Sequence, residues 1–476
     1  MRFSILFILI GLVTACGQDV RWPWQPASPK TQSTAISPAA SEPVAADRAI
    51  PVSSPEDLPE GNSQLTNLST LIGQLGLAPY HQLGFHGQGL RIAVLDNGFA
   101  GLSLSRGQRL PPDIQVQPSP LAQMEDTTHG VKLAEIIYAL STGQALYSPA
   151  VPGPEILLYN ADGFTNFQAS VAAAVQAKVD MIVYAQVWEY GGNFDGKGFI
   201  NKVVDTATNA GILWVNAAGN LGLATYNGAI KIGTDGRTVA LPYEGRYVRF
   251  TVPQDNTPCK IVLAWNDFDD SKDYRTSEDL DLVLEDASGH EIAASRLKQL
   301  GNQVAVNDEN TSAHAREIID TQLGVGTYYL RVEARTQNFD QASRLRLTVD
   351  GAGVQLLERS TDQTVLIPAD NPAVLTVGAA DVNYSGQMRG QGVLTKPEVQ
   401  VASEVDFSDG TVHQGTSSAS AIVAGALAVY QSAYGRIGRA AIGPLLNQGT
   451  LAAPGSTAPA LLRLVAPSSP SPRTAP

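Results

Sequence analysis

An α/β fold, with a parallel sheet covered by helices on both faces and interrupted by an inserted all-β sandwich, is what this 476-residue sequence predicts. Three observations predict it. Short apolar runs near 91–95, 155–160, 180–185 and 211–216 alternate with helical stretches at 167–177 and 199–209. Strands that are apolar throughout, separated by helices, belong to a parallel sheet buried on both sides. From about 238 to 350 the pattern changes to β-rich alternation at 247–252, 260–265, 280–284, 327–332 and 345–349, with turn signals such as Ala287-Ser288-Gly289 between runs. No long helix is evident there, which fits a sandwich. The parallel pattern then resumes at Ala373-Val374-Leu375-Thr376-Val377-Gly378, so one sheet needs both flanks of the insert.

The length exceeds one average domain, and 43% hydrophobic residues supply a large core. A net charge of -13 with no basic stripe excludes nonspecific nucleic-acid binding. Residues 1–15 carry Arg2 and then an apolar run from 3 to 13, the make-up of an export signal too short to span a bilayer stably. Val13-Thr14-Ala15-Cys16 resembles a bacterial lipobox, which implies an acylated Cys16 and attachment to a membrane of the bacterial cell envelope. Trp22-Pro23-Trp24 follows, with side chains suited to a lipid interface. Two cysteines occur, so after such acylation Cys259 has no intrachain partner. The expected organisation is a signal peptide at 1–15, a Pro/Ser/Ala-rich tether at 16–60, the first part of the α/β domain at 61–225, the sandwich at 226–362, the second part at 363–462 and a tail at 463–476.

Helical spacing of Leu65, Leu68, Leu71, Ile72 and Leu75 opens the ordered region. The apolar run at 91–95 then ends in Asp96-Asn97-Gly98, which puts a carboxylate at a strand's end, although Asp-Asn-Gly is also an ordinary turn. Asp126-Thr127-Thr128-His129-Gly130 leads into an apolar helix, so His129 stands at a helix start, where packing is its commoner role. Ala217-Ala218-Gly219-Asn220 brings a side-chain amide to another strand's carboxyl end, where open α/β sheets keep their sites. Gly415-Thr416-Ser417-Ser418-Ala419 opens a helix of small residues whose N-terminal N–H groups favour an oxyanion beside Ser417; a simple helix cap is the bland alternative. His413 is nearer Ser417 in sequence but sits in a polar loop without a matching acidic strand end, and it ranks below His129 as a base.

Asp96, His129 and Ser417 follow the chain order Asp, His, Ser that separates subtilisin from other triad hydrolases. The chain resembles the subtilases, the subtilisin-like serine proteases, over about 76–220 and 373–434. His86-Gly87-Gln88-Gly89-Leu90 through Asp96 is similar to the family's aspartate block, His129-Gly130 to its histidine block and Gly415-Thr416-Ser417 to its serine block. Asn220 matches the family's oxyanion donor, and Lys396-Pro397-Glu398 resembles a segment that often precedes the serine block. Departures include Asn97 for the usual serine or threonine, Ala421 for the usual proline, and Tyr184 to Gly192 in place of the short stretch that pairs with substrate. No room is evident between Cys16 and Ser63 for the folded propeptide that many members carry. The insert resembles jelly-roll modules of other subtilases at Asp279-Leu280-Asp281-Leu282 and Gly326-Thr327-Tyr328-Tyr329.

The resemblance implies a serine endopeptidase acting through Asp96, His129 and Ser417, with Asn220 at the oxyanion, a polypeptide substrate, a monomer, and no cofactor required for the chemistry. The alternatives are a catalytically silent envelope scaffold of the same fold and a carbohydrate-binding adhesin. The acidic cluster Asp267, Asp269, Asp270, Asp273, Glu278, Asp279 and Asp281 is a candidate structural calcium site, since hard cations take several oxygen ligands; a solvated acidic loop is the competing reading.

Overall fold

The computed structural model describes residues 64–268, 275–299, 311–389 and 395–443, with the backbone of Ile50–Pro51 and Ala460–Leu461. The expected signal peptide, Cys16, most of the tether and the tail lie outside the described residues.

The chain alternates between strands β1 (Arg91–Asp96), β2 (Glu155–Asn160), β3 (Met181–Tyr184) and β4 (Leu213–Ala217) and helices α1 (Leu68–Leu75), α2 (His129–Thr142), α3 (Gly163–Gln176) and α4 (Phe199–Asn209). Then come nine antiparallel strands: β5 (Thr225–Ala229), β6 (Val248–Val252), β7 (Thr257–Trp265), β8 (Leu280–Glu285), β9 (Glu291–Ser295), β10 (Arg316–Leu323), β11 (Gly326–Ala334), β12 (Arg344–Asp350) and β13 (Gln355–Leu356). Finally β14 (Leu375–Ala379), β15 (Val399–Val401), helix α5 (Thr416–Tyr434) and β16 (Ala460–Leu461) return to the first sheet. Its order is β16-β15-β14-β4-β3-β1-β2, with every pairing parallel.

Side chains alternate across a strand, so a parallel sheet buried on both faces needs apolar residues at both parities. In β1, Ile92 and Val94 join a core with α2 and α5, whereas Ala93 and Leu95 join a second core with α3 and α4. The second core is built around aromatic side chains: Phe167, Tyr184, Trp188 and Trp214 are all fully buried, and the Phe167 ring touches each of the other three. On the opposite face, α2 and α5 approach closely because α5 offers Gly425: a Cβ there would come within 2.9 Å of Leu140 Cβ. A larger residue would push the helix carrying Ser417 off the helix carrying His129.

The antiparallel strands form a five-stranded sheet, β9-β8-β11-β6-β13, and a four-stranded sheet, β10-β7-β12-β5. Strand β10 faces β8 and β9 of the other sheet. Sequence periodicity did not single out β9 and β10, because β9 is largely exposed and β10 buries few of its residues.

The stretch after β3 joins the two regions. Lys260 Nζ lies 3.1 Å from the fully buried carboxylate of Glu189. Asn193 and Phe268 exchange hydrogen bonds, Asn193 Nδ2 donating to the Phe268 carbonyl at 3.0 Å and Phe268 N–H to Asn193 Oδ1 at 2.8 Å. Phe199 stacks on His314, and the Arg316 guanidinium covers the Tyr190 ring.

Candidate active site

Strand β1 delivers Asp96 to the carboxyl edge of the sheet, where it is fully buried. The Gly98 N–H donates to its Oδ1 at 3.2 Å, leaving Oδ2 for His129, whose Nδ1–H donates at 2.6 Å. A short, buried contact of this kind fixes the imidazole tautomer with the proton on Nδ1 and leaves Nε2 as the acceptor. The two residues come together because the segments carrying them touch. Gly130 N–H donates to the Gly98 carbonyl, and a Cβ on Gly130 would fall 2.4 Å from the Phe99 ring, so only glycine lets α2 start there. Beneath α2, Glu135 accepts from Arg109 Nε at 2.6 Å and Ser105 Oγ at 2.7 Å, a buried anchor that sequence reasoning missed. Its signal was a charged pair, Lys132 and Glu135, on an otherwise apolar helix.

Ser417 is the second residue of α5 and is 1% exposed. Its hydroxyl donates to the Ala185 carbonyl at 3.2 Å. His129 Nε2 is buried and has no hydrogen-bond partner among the described residues. The imidazole is therefore oriented on one side by Asp96 and unengaged at Nε2.

Asn220 stands beside the start of α5. Its Oδ1 accepts from the Thr416 N–H at 3.2 Å and from Thr416 Oγ1 at 3.1 Å, and Gly219 N–H donates to Thr416 Oγ1 at 3.2 Å. These contacts tie the Asn220 amide to the start of α5. The contact of Thr416 with Asn220 is visible only in three dimensions.

His413 lies on a short antiparallel pair with Val405–Asp406, its ring edge-on to Phe407. Burial, followed by the nearby His129 and Lys132, pushes it down to about 4. It is thus neutral at physiological pH and packed against an aromatic ring.

The acidic residues of the insert take separate partners. Asp267 accepts from Thr276 Oγ1 at 2.6 Å, and Asp281 forms ion pairs with Arg335 and Arg296. Burial, then the charge of Asp281, pushes Asp279 up to about 6. Asp269 lies outside the described residues. Among the described residues, no group of three or more His, Cys, Asp or Glu side chains is disposed to hold a metal ion.

No family model matches the chain. A thermostable alkaline protease of Halalkalibacterium halodurans is 27% identical over 214 residues, which are 41% of this chain and 57% of that protein. The match thus spans little more than half of that relative's length. Among solved structures, the CspB protease of Clostridium perfringens superposes with a TM-score of 0.51 at 13% identity, covering 83% of this chain and 96% of its own. The fold is subtilisin-like. A cold adapted subtilisin-like serine proteinase aligns over 80% of this chain and 91% of its own with a TM-score of 0.37 and 13% identity. In the subtilisin-like frame, Asp96, His129, Asn220 and Ser417 come from β1, α2, the end of β4 and α5, four segments spread over more than three hundred residues.

Proposed function

We propose that the chain is a serine endopeptidase in which Ser417 attacks a peptide carbonyl, His129 takes the serine proton, and Asp96 holds the imidazole and stabilises its charged form. The observation that carries this reading is the buried 2.6 Å contact between His129 Nδ1 and Asp96 Oδ2, with the helix of His129 packed against the helix whose second residue is Ser417. Attack at the carbonyl carbon moves an electron pair onto the oxygen, where the Asn220 amide and the Ser417 N–H stabilise it. The amine leaves with the proton carried by His129, and an acyl-enzyme remains on Ser417. Water then attacks the ester, His129 again accepting the proton and returning it to Ser417. The likeness in sequence to an alkaline protease supports peptide bonds as the substrate.

The remaining assignments belong to the same reading: a monomer, anchored through a lipid on Cys16 to a membrane of the bacterial cell envelope, with no cofactor in the chemistry. Calcium in the insert is proposed only as a structural ion held by Asp267, Asp269, Asp279 and Asp281. One observation favours a second reading, a silent scaffold: the Ser417 hydroxyl points to the Ala185 carbonyl and not to His129. Hydrolysis of unfolded casein decides between them. Cleavage by the purified chain that disappears in Ser417→Ala supports the endopeptidase; no cleavage, or cleavage that persists in Ser417→Ala, overturns it.

A further inference from the structure

Resting on the peptidase reading, we infer that Asp381, acting through Ser403, positions the start of α5 and with it the two groups assigned to the oxyanion, the Ser417 N–H and the Asn220 amide. The register of the parallel sheet brings Asp381 and Ser403 together. Ala379, at the end of β14, stands opposite Val401, at the end of β15, and the Ala380 N–H donates to the Val401 carbonyl at 2.8 Å. Two residues beyond each of these partners, at the carboxyl edge of the sheet, come Asp381 and Ser403.

The contact between them has a direction. Asp381 Oδ2 accepts from the Ser403 N–H at 2.9 Å, the Glu404 N–H at 3.1 Å and Gln414 Nε2 at 3.3 Å, while Oδ1 accepts from the Ser403 hydroxyl at 2.6 Å. Ser403 is fully buried, and its Oγ also accepts from the Gly415 N–H at 3.0 Å. A backbone N–H can only donate and an ionised carboxylate can only accept, so the hydroxyl proton is committed to Asp381 and a lone pair to Gly415. Hydrogen bonds to a charged acceptor are the short and strong ones, which makes the carboxylate the fixed end of this relay.

Gly415 is where the relay meets the site. Its carbonyl accepts from the Ala419 N–H at 3.1 Å, in the first turn of α5. A Cβ on Gly415 would fall 2.9 Å from Asn220 Nδ2, so the glycine backbone packs directly against that amide. The next residue, Thr416, is bonded to Asn220 Oδ1. A displaced Gly415 therefore disturbs the Asn220 amide and the helix start together. Oxyanion donors act by being in place before the charge develops, so such a displacement costs rate and not substrate binding. Asp381 acts through Ser403 and is a positioning residue.

The test uses the whole chain, a peptide p-nitroanilide as substrate, and the variants Asp381→Asn, Ser403→Ala and the two combined. An asparagine amide offers one acceptor oxygen where the carboxylate offers two, so it cannot serve all four donors. Each single variant should lower kcat about tenfold, counted per Ser417 that reacts with a fluorophosphonate, with KM changed by less than about twofold. The double variant should be no slower than the slower single one, because both substitutions break the same relay. Near-UV circular dichroism checks folding, and Asp381 is exposed, so its variant carries the test alone if the buried Ser403→Ala does not fold. A lower Tm with wild-type kcat in folded Asp381→Asn, a raised KM at unchanged kcat, or losses that multiply in the double variant overturn the inference and leave the peptidase reading standing. Failure of the wild type to react with the fluorophosphonate overturns the peptidase reading, and this inference falls with it.

Discussion

The parallel-sheet region and the antiparallel insert both bury carboxylates, but they satisfy them differently. In the insert, Glu317 is fully buried and takes the Leu297 N–H at 3.1 Å, Gln299 Nε2 at 2.9 Å and the Ser295 hydroxyl. Its partners come from its own neighbourhood in the sheets, and burial drives the group up to about 8. In the parallel-sheet region, Asp96 is equally buried, yet its partner His129 arrives on a separate helix and keeps one ring nitrogen buried and unengaged. Buried polar atoms are nearly always bonded, so a ring nitrogen left unengaged on an imidazole held by a buried carboxylate calls for an explanation. The network around Glu317 closes on its carboxylate, whereas the one around His129 stays open at Nε2.

Breaking the open network should cost the most activity. Ser417→Ala is expected to lower kcat by roughly 10⁶, the size found when such a nucleophile is removed from a triad hydrolase. Asp96→Asn should cost roughly 10⁴ while leaving the fold intact, since it destabilises the productive imidazole tautomer. A loss of less than about tenfold in either would make the pair a structural one. Asn220→Ala should reduce kcat by roughly a hundred- to a thousandfold with little change in KM, because the bond strengthens only as charge develops on the oxygen. Wild-type kcat in a folded Asn220→Ala would return Asn220 to the role of a turn residue.

Between the two regions, Lys260→Ala leaves Glu189 buried without its cation. Breaking a buried pair from one side costs about 3 kcal/mol or more, which thermal unfolding should register as a lower Tm. An unchanged Tm would mean that the contact between the regions contributes no stability.

In the network around Glu317 the expected effect is a pH dependence of stability. The folded Glu317 carboxyl keeps its proton up to about pH 8, against an ordinary value of 4.5, so the folded state binds that proton more tightly than the unfolded chain does. Its contribution to stability is therefore fully present below about pH 4.5 and is lost as pH rises toward 8, each unit of difference being worth about 1.4 kcal/mol. Glu317→Gln should flatten the decline of Tm across that window. A parallel decline in both proteins would assign the pH dependence to other groups.

The parallel sheet was legible because its strands are apolar at both parities, and Asp96, His129, Asn220 and Ser417 were legible because each follows or opens such an element. What the sequence could not provide was relation across the fold. Thr416 reads as one residue of a helix start until its hydroxyl is seen against Asn220. In the acidic run around Asp267 to Asp281, spacing alone does not show that Arg335 and Arg296 face Asp281. Strands β9 and β10 escaped because they bury too little surface for alternation to stand out.

The central claim is that Ser417 is an activated nucleophile served by His129. Intact-mass measurement after exposure to diisopropyl fluorophosphate, with peptide mapping, tests it most directly, since an ordinary serine hydroxyl does not react. The account predicts a single adduct on Ser417 in the wild type, and none in Ser417→Ala or in a correctly folded His129→Ala. No adduct on the folded wild type, or an adduct that forms equally fast without His129, would contradict it.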